Sequence, residues 1–385
     1  MNAIWLRSSR LLCGSAFLIL LAAAGAHAQS THTSSASTDS VAALRLAEQQ
    51  FKNIQVLKGI PADQLIPTMQ FIAASLGVEC EHCHVAHANE KDDKKAKLTA
   101  RKMISMVMAI NKDDFEGHRE VTCYSCHRGS PDPVATPLIT AEEPKPEPQP
   151  SEAKPVFPPA EELLDKYLHA IGGATALQKV TSRVQKGTLT FAGQQSPIDV
   201  FSKAPDKRLS VMHTPKGDSV TAFDGHQGWL NQPGRLHIMS AAENDAARID
   251  ADFYLSVHLK TMFQKLRVDA GEKIDSHDTY LVVGRTEGQP PLRLYFDKES
   301  GILLRLIRYA ETPLGLNPTQ IDYADYRDSG GVRVPFRWTL ARPGTQFTIQ
   351  VDQVQQNVPI DDAKFVAPPP PRLPPSPPAP TPANP

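Results

Sequence analysis

The chain has almost no net charge, few cysteines and, behind its N-terminal segment, no long apolar run. Lysine plus arginine number 41 against 42 aspartate plus glutamate, a formal charge of −1 over 385 residues. Nucleic-acid binders carry a strong basic excess, so no nucleic acid is expected among the partners. The one sustained apolar stretch, Leu11 to Gly25, is short for a membrane span. It follows Arg7 and Arg10 and precedes Ala26-His27-Ala28, the order of a cleaved export signal. Residues 1–28 are therefore read as a signal peptide, and the mature chain as beginning near Gln29. Such a chain works in the periplasm or at the cell exterior, where membrane association remains open.

Of the five cysteines, Cys13 leaves with the signal. The other four stand in two C-x-x-C pairs, Cys80/Cys83 and Cys123/Cys126. An oxidising compartment seldom leaves thiols free, so each pair needs a role. Disulfides, zinc ligands and haem attachment points are the three chemistries on offer.

Proline is abundant, with 34 residues. Most punctuate two stretches that bury too little apolar surface to fold: residues 131–159, read as a semi-stiff linker, and residues 368–385, a polyproline tail. Residues 29–40 are rich in Ser and Thr and are read as disordered. These stretches delimit two folded regions, residues 41–130 and 160–367.

The first region has helical patterning, including an apolar stretch from about Leu65 to Leu76 that Gly77 should end. The second opens with a helix over Glu161 to Ala170, closed by Gly172-Gly173. Short alternating runs follow, such as Gly187–Phe191, Leu292–Phe296 and Phe347–Val351. Asp297–Gly301 and Asp328–Gly331 lie between such runs as hairpin turns. Ala241 to Phe263 is the one internal stretch that reads as helical. The expected fold is multidomain: a small all-α domain, then a mostly antiparallel β domain with a helix or two. Trp229 and Phe336 are expected in its core.

A histidine follows each cysteine pair, giving Cys80-Glu81-His82-Cys83-His84 and Cys123-Tyr124-Ser125-Cys126-His127. C-x-x-C-H is the haem c attachment signature. Thiols three positions apart reach the two vinyl groups of one porphyrin, and the adjoining histidine supplies the proximal nitrogen. A zinc site built from four cysteines has no use for a histidine after both pairs. A C-x-x-C disulfide is strained and more often redox-active than structural. Two covalent haems are therefore expected, on Cys80, Cys83 and His84 and on Cys123, Cys126 and His127.

The sixth iron ligand is open on spacing alone. Met69 lies on the helix before the first motif, and Met103, Met106 and Met108 crowd the helix before the second. Met103 and Met106 share a face. Thioethers there can ligate iron or fill the core around a flat cofactor. His82 reads as solvated, and His87 and His118 as surface residues. Lys91, Lys94, Lys95 and Lys97 can steer a redox partner, but a solvated face is the simpler reading.

The segments Ser75–His84, Ala100-Arg101-Lys102-Met103 and Val121–Gly129 make the stretch from Val56 to Gly129 resemble the cytochrome c subunit of photosynthetic reaction centres. The resemblance implies helix, turn and C-x-x-C-H helix in each haem segment. It implies Met69 as the axial ligand opposite His84, and Met103 opposite His127. It also implies electron transfer, with redox proteins or a membrane electron-transfer complex as partners. This chain departs from the family in having two motifs where the subunit usually carries four haems, and in lacking a convincing lipidation signal. The later region resembles the half-barrel of lipoprotein carriers, carried by Asp224–Trp229 and Tyr326–Phe336. An apolar ligand or a protein is the partner that a curved sheet implies.

Three functions compete. A six-coordinate dihaem carrier moves electrons and is not an enzyme. A dihaem peroxidase needs an exchangeable position at one iron, and its haems normally sit in separate domains. A β-domain binding module would make the haems accessory. The close spacing of the motifs favours the carrier.

Overall fold

A computed structural model describes residues 45–133, 156–233 and 235–369. The expected signal peptide, the Ser/Thr-rich segment, the middle of the expected linker and nearly all of the polyproline tail lie outside the described residues.

The first region is helical: α1 (Ala47–Gln50), α2 (Leu65–Leu76), α3 (Cys80–Cys83), α4 (Lys95–Asp114) and α5 (Cys123–His127). Helix α2 occupies the stretch expected for it. Pro67 is tolerated in its first turn, where backbone N–H groups have no intrahelical acceptor. It buries Leu65, Thr68, Ile72 and Ser75, one stripe at helical spacing. Gly77 ends it in the left-handed conformation, φ 66°. The N–H of Val78 then closes on the Ala73 carbonyl at 3.0 Å. A Cβ at position 77 would collide with the carbonyl of Gly129, so glycine also permits the close approach of the second motif's trailing loop.

The second region opens with α6 (Ala160–Ala170) and α7 (Ala174–Gln178). Strands β1 (Ser182–Phe191), β2 (Gln194–Lys203), β3 (Lys207–Thr214), β4 (Gly217–Phe223), β5 (Gly228–Gln232) and β6 (Arg235–Ile238) follow. Helices α8 (Ala241–Ala251) and α9 (Leu255–His258) lead to β7 (Lys265–Ala270), β8 (Thr279–Arg285), β9 (Leu292–Asp297) and β10 (Leu303–Thr312). The sheet ends with β11 (Gly315–Ser329), β12 (Val332–Arg342) and β13 (Thr345–Gln356). The thirteen strands among the described residues form one antiparallel sheet in the order β6-β5-β4-β3-β2-β1-β13-β12-β11-β10-β9-β8-β7. Every neighbour is consecutive except β1 and β13, which join the first strand to the last.

Strand alternation divides the side chains between two cores. Ile198 and Val200 of β2 join a large cluster with Leu163, Leu164 and Tyr167 of α6, Phe296 of β9 and Phe336 of β12. Phe201, on the opposite face, joins Leu209, Trp229 and Phe365. There Trp229 Nε1 donates to the Phe365 carbonyl at 2.7 Å, so the segment after β13 seals the second face. Trp229 and Phe336 are both buried, as their sequence positions suggested.

Two expectations need correction. The stretch from Ala241 to Phe263 is broken into α8 and α9 rather than forming one helix. Asp252 causes the break: its Oδ1 accepts the Tyr254 N–H at 3.0 Å, a local turn that competes with helix continuation. The β region also carries four α-helices among the described residues, more than the one or two expected.

The β10–β11 hairpin reaches into the helical region. Leu314 at its tip is 1% exposed. It belongs to the cluster of Ala47, Leu57, Leu65, Ile72, Ile104 and Cys123. Arg119 donates to the Thr312 carbonyl and pairs with Glu311 at 3.2 Å. Among the described residues, no helix is long and apolar enough to cross a membrane.

Candidate haem-attachment sites

Each C-x-x-C-H motif starts a short helix. Cys80 and Cys83 bound α3, with His84 just past its end in extended conformation. Cys123 and Cys126 lie within α5, His127 closes it, and Arg128 turns the chain left-handed. All four thiols are free. Burial pushes the Cys83 and Cys123 thiols up from their ordinary value, which disfavours thiolate. Among the described residues, no group of three or more His, Cys, Asp and Glu side chains converges as a metal cage. The two cysteine pairs are therefore not gathered into one four-thiol zinc arrangement.

The two histidines share one geometry. His84 Nδ1 lies 3.0 Å from the Asn89 carbonyl, and His127 Nδ1 lies 3.0 Å from the Ser130 carbonyl. A carbonyl only accepts, so each Nδ1 carries the proton and donates. In the neutral ring this leaves Nε2 bare, the form in which imidazole ligates a metal. Both motifs make this contact through the loop that follows them.

The loop behind the first motif is anchored from α4. Lys97 Nζ donates to the Asn89 carbonyl at 2.8 Å and to the Lys91 carbonyl at 2.7 Å. The carbonyl that orients His84 is thus itself held. Lys97 also pairs with Asp92 at 3.0 Å. Arg101 grips the same carboxylate with two bonds of 2.9 Å, and Asn53 Nδ2 adds a third at 2.9 Å. Hydrogen bonds from Arg101 first, then Lys97 and Asn53, hold the Asp92 carboxyl well below the usual carboxylate range.

Lys97 was grouped with the solvated lysines on sequence, and that reading is corrected: it is buried. Its sequence signal was the spacing of Lys97 and Arg101, one turn apart behind Asp92. Lys94 is half-buried, with Nζ donating to the Glu81 carbonyl. His82 and His118 are exposed and His87 lies at the surface, as read.

The second motif is tied in by Asn111. Its Nδ2 donates to the Val121 carbonyl at 2.7 Å, and its Oδ1 accepts the Val121 N–H at 2.9 Å. Beyond the motif, Gly129 N–H donates to the Ser75 carbonyl at 2.9 Å.

The methionines fall in two environments. Met69 is half-buried against the cluster that includes Cys123. Met103 is 36% exposed and Met106 43%, with Leu98, Met108 and Tyr124 also exposed. Helix α2 packs on α5 and α3 packs on α4. The helix carrying Met69 thus lies beside the second motif, and the helix carrying Met103 beside both. So much exposed apolar surface on so small a helical region suits a flat apolar group lying against it. Free thiol pairs, bare Nε2 atoms and nearby thioethers fit haem c.

Residues 22–154 match the family model described as photosynthetic reaction centre cytochrome C subunit. Both motifs, Met69 and Met103 lie inside that range. A photosynthetic reaction center cytochrome c subunit from Thermochromatium tepidum is 35% identical over 92 residues, 23% of this chain and 22% of that protein. Cytochrome c-554 from Chloroflexus aurantiacus is 31% identical over 86 residues, 20% of each chain. The reaction center subunit from Rubrivivax gelatinosus is 31% identical over 93 residues, 23% of this chain and 25% of that one. The chain therefore spans no more than 25% of the length of these relatives.

Among solved structures, a LolA superfamily protein from Nitrosomonas europaea is similar at TM-score 0.37 and 14% identity, covering 54% of this chain and 97% of that one. A DUF1329 family protein from Desulfovibrio piger is similar at TM-score 0.38 and 12% identity, covering 55% and 98%. The fold described above is a small helical region followed by a large antiparallel sheet.

Proposed function

We propose that the chain is an exported dihaem c-type cytochrome that carries electrons and is not an enzyme. In this reading, residues 41–130 hold both haems, residues 131–159 are a linker and residues 160–367 are a separate β domain. Cys80 and Cys83 tether one haem, and Cys123 and Cys126 the other. His84 and His127 supply the proximal nitrogens, with Met69 and Met103 as the opposite ligands. The observation that carries the reading is the matched pair of histidines, each held by a backbone carbonyl at Nδ1 with Nε2 bare.

When bound, a His/Met haem supplies a reversible one-electron centre. The protein's part is to hold the imidazole, present the thioether and keep both fixed through the cycle. Lys97, Asp92, Arg101 and Asn111 do the holding on one side, and α2 and α4 present the thioethers. Redox proteins or a membrane electron-transfer complex are the partners that such a carrier implies. Its place is the periplasm or the cell exterior.

A pyridine haemochrome assay on natively matured protein should count two haems per chain. Bare polypeptide, or a metal without macrocycle, would overturn the reading. Met69→Ala should remove the long-wavelength charge-transfer band of thioether-ligated ferric haem at one centre only. The band's partner histidine decides whether Met69 faces His84, as the family resemblance implies, or His127, beside which its helix packs. Carbon monoxide binding to the reduced native protein would mark an open iron position and favour the peroxidase alternative.

A further inference from the structure

The proposed electron carrier makes no use of the interior of the sheet region. On the α6 side of the sheet lies a cavity of about 160 Å³, lined by Tyr167, Arg183, Leu259, Tyr323, Tyr326 and Val332 among others. That volume suits a body about the size of benzene and is well below a drug-sized site. Its walls mix apolar side chains with the Arg183 and Arg333 guanidinium groups, the Asp252 carboxylate, Ser256 and phenol groups.

The Arg183 guanidinium is the anomaly. Arg183 Nε is sealed from solvent and meets no acceptor among the described residues. The guanidinium carbon lies 5.3 Å from the centre of the Phe253 ring, which covers it without pairing its charge. Burial, with Arg208 nearby, lowers the Arg183 pKa to about 10, so it is still cationic at neutral pH. Arg208, likewise half-buried, reaches Ser202 Oγ at 3.4 Å.

The local acids are engaged elsewhere. Asp250 is gripped by Arg308 through Nε at 3.2 Å and Nη2 at 2.7 Å. Asp252, on the cavity wall, is held by His258 Nδ1 at 2.8 Å and by the Tyr254 N–H at 3.0 Å. Tyr326 donates its hydroxyl to the Leu303 carbonyl at 2.8 Å. The Tyr167 and Tyr323 hydroxyls find no such acceptor among the described residues. Arg183 is half-buried and its guanidinium has no acid partner among the described residues; the natural complement of such a group is an anion. The apolar side chains among the lining, Leu259 and Val332 included, leave room for an apolar body beside that anion.

We propose that this cavity binds a small carboxylate with an apolar body. The carboxylate oxygens would take Arg183 and the free phenol hydroxyls, and the body would lie against Leu259 and Val332. The proposal is independent of haem attachment.

The test is calorimetric titration and thermal shift on the full chain with hexanoate, hexanol, inorganic phosphate and palmitate. Hexanoate should bind and raise the melting temperature, with hexanol and phosphate weaker by about tenfold or more, the scale of one lost charge-assisted hydrogen bond. Arg183→Gln should weaken hexanoate by a similar factor and leave hexanol unchanged. Tyr323→Phe should weaken hexanoate a few-fold, and it serves in place of Arg183→Gln if that variant does not fold. Palmitate competing with hexanoate would indicate a long-chain source for the ligand, and palmitate failing to compete a short-chain one. Hexanoate binding no tighter than hexanol, or at full strength in Arg183→Gln, overturns the proposal.

Discussion

The helical and sheet regions solve the problem of a core in different ways. The sheet region encloses its own, with α6 against one face and the segment carrying Phe365 sealing the other. The helical region has a thin core and leaves Leu98, Met103, Met106 and Tyr124 exposed. It borrows Leu314 from the β10–β11 hairpin, and on the proposed reading it also depends on two covalent cofactors for packing. A small helical unit buries too little surface by itself, so external groups must complete it.

The largest break of this comparison is removal of a tether. Cys80→Ala with Cys83→Ala should halve the haem count and reduce helical circular dichroism while the sheet signal stays. In the sheet, Phe296→Ala should cost about 3–5 kcal/mol in denaturant unfolding, with no change in the haem spectrum. Phe296 is almost fully buried and stacks near Tyr167 at 5.3 Å between ring centres.

Leu314→Ala crosses the divide. It should cost about 2–5 kcal/mol, and the loss should appear in the unfolding of the helical region although the residue belongs to the sheet. If only the sheet transition moves, the hairpin tip is not part of the helical core in solution.

The smallest effect concerns Asp92. Its folded pKa is depressed, so its contribution is fully present above the unfolded carboxylate value of about 3.9 and is lost as pH falls below it. The exposed carboxylate makes the effect modest, and Asp92→Asn should flatten this acid dependence of the helical region's melting temperature.

Local structure was legible where local chemistry decides it. Gly77 ended α2 where the sequence placed the stop, because a left-handed cap is a backbone property. Both hairpin turns around Asp297–Gly301 and Asp328–Gly331 fall between strands as read. The two cysteine pairs and the histidines after them stand out in the sequence, but the loops that hold those histidines do not. Lys97 looked like one more surface lysine, since its burial depends on carbonyls that fold back from Asn89 and Lys91. Leu314 and Arg183 were missed for the same reason: their surroundings come from chain segments far away in sequence.

The pairing of β1 with β13 has its own consequence for how the chain is made. Residues 182–191 wait for residues 345–356 before the middle of the sheet can zip, while β6 and β7, consecutive strands in the chain, end up on opposite rims. That pairing closes a loop of more than 150 residues, and long-range closure of this kind is slow. A chain emerging N-terminus first would present Cys123 long before the hairpin whose Leu314 shares its cluster exists. On the proposed reading, haem attachment at Cys123 can therefore precede the packing that buries it.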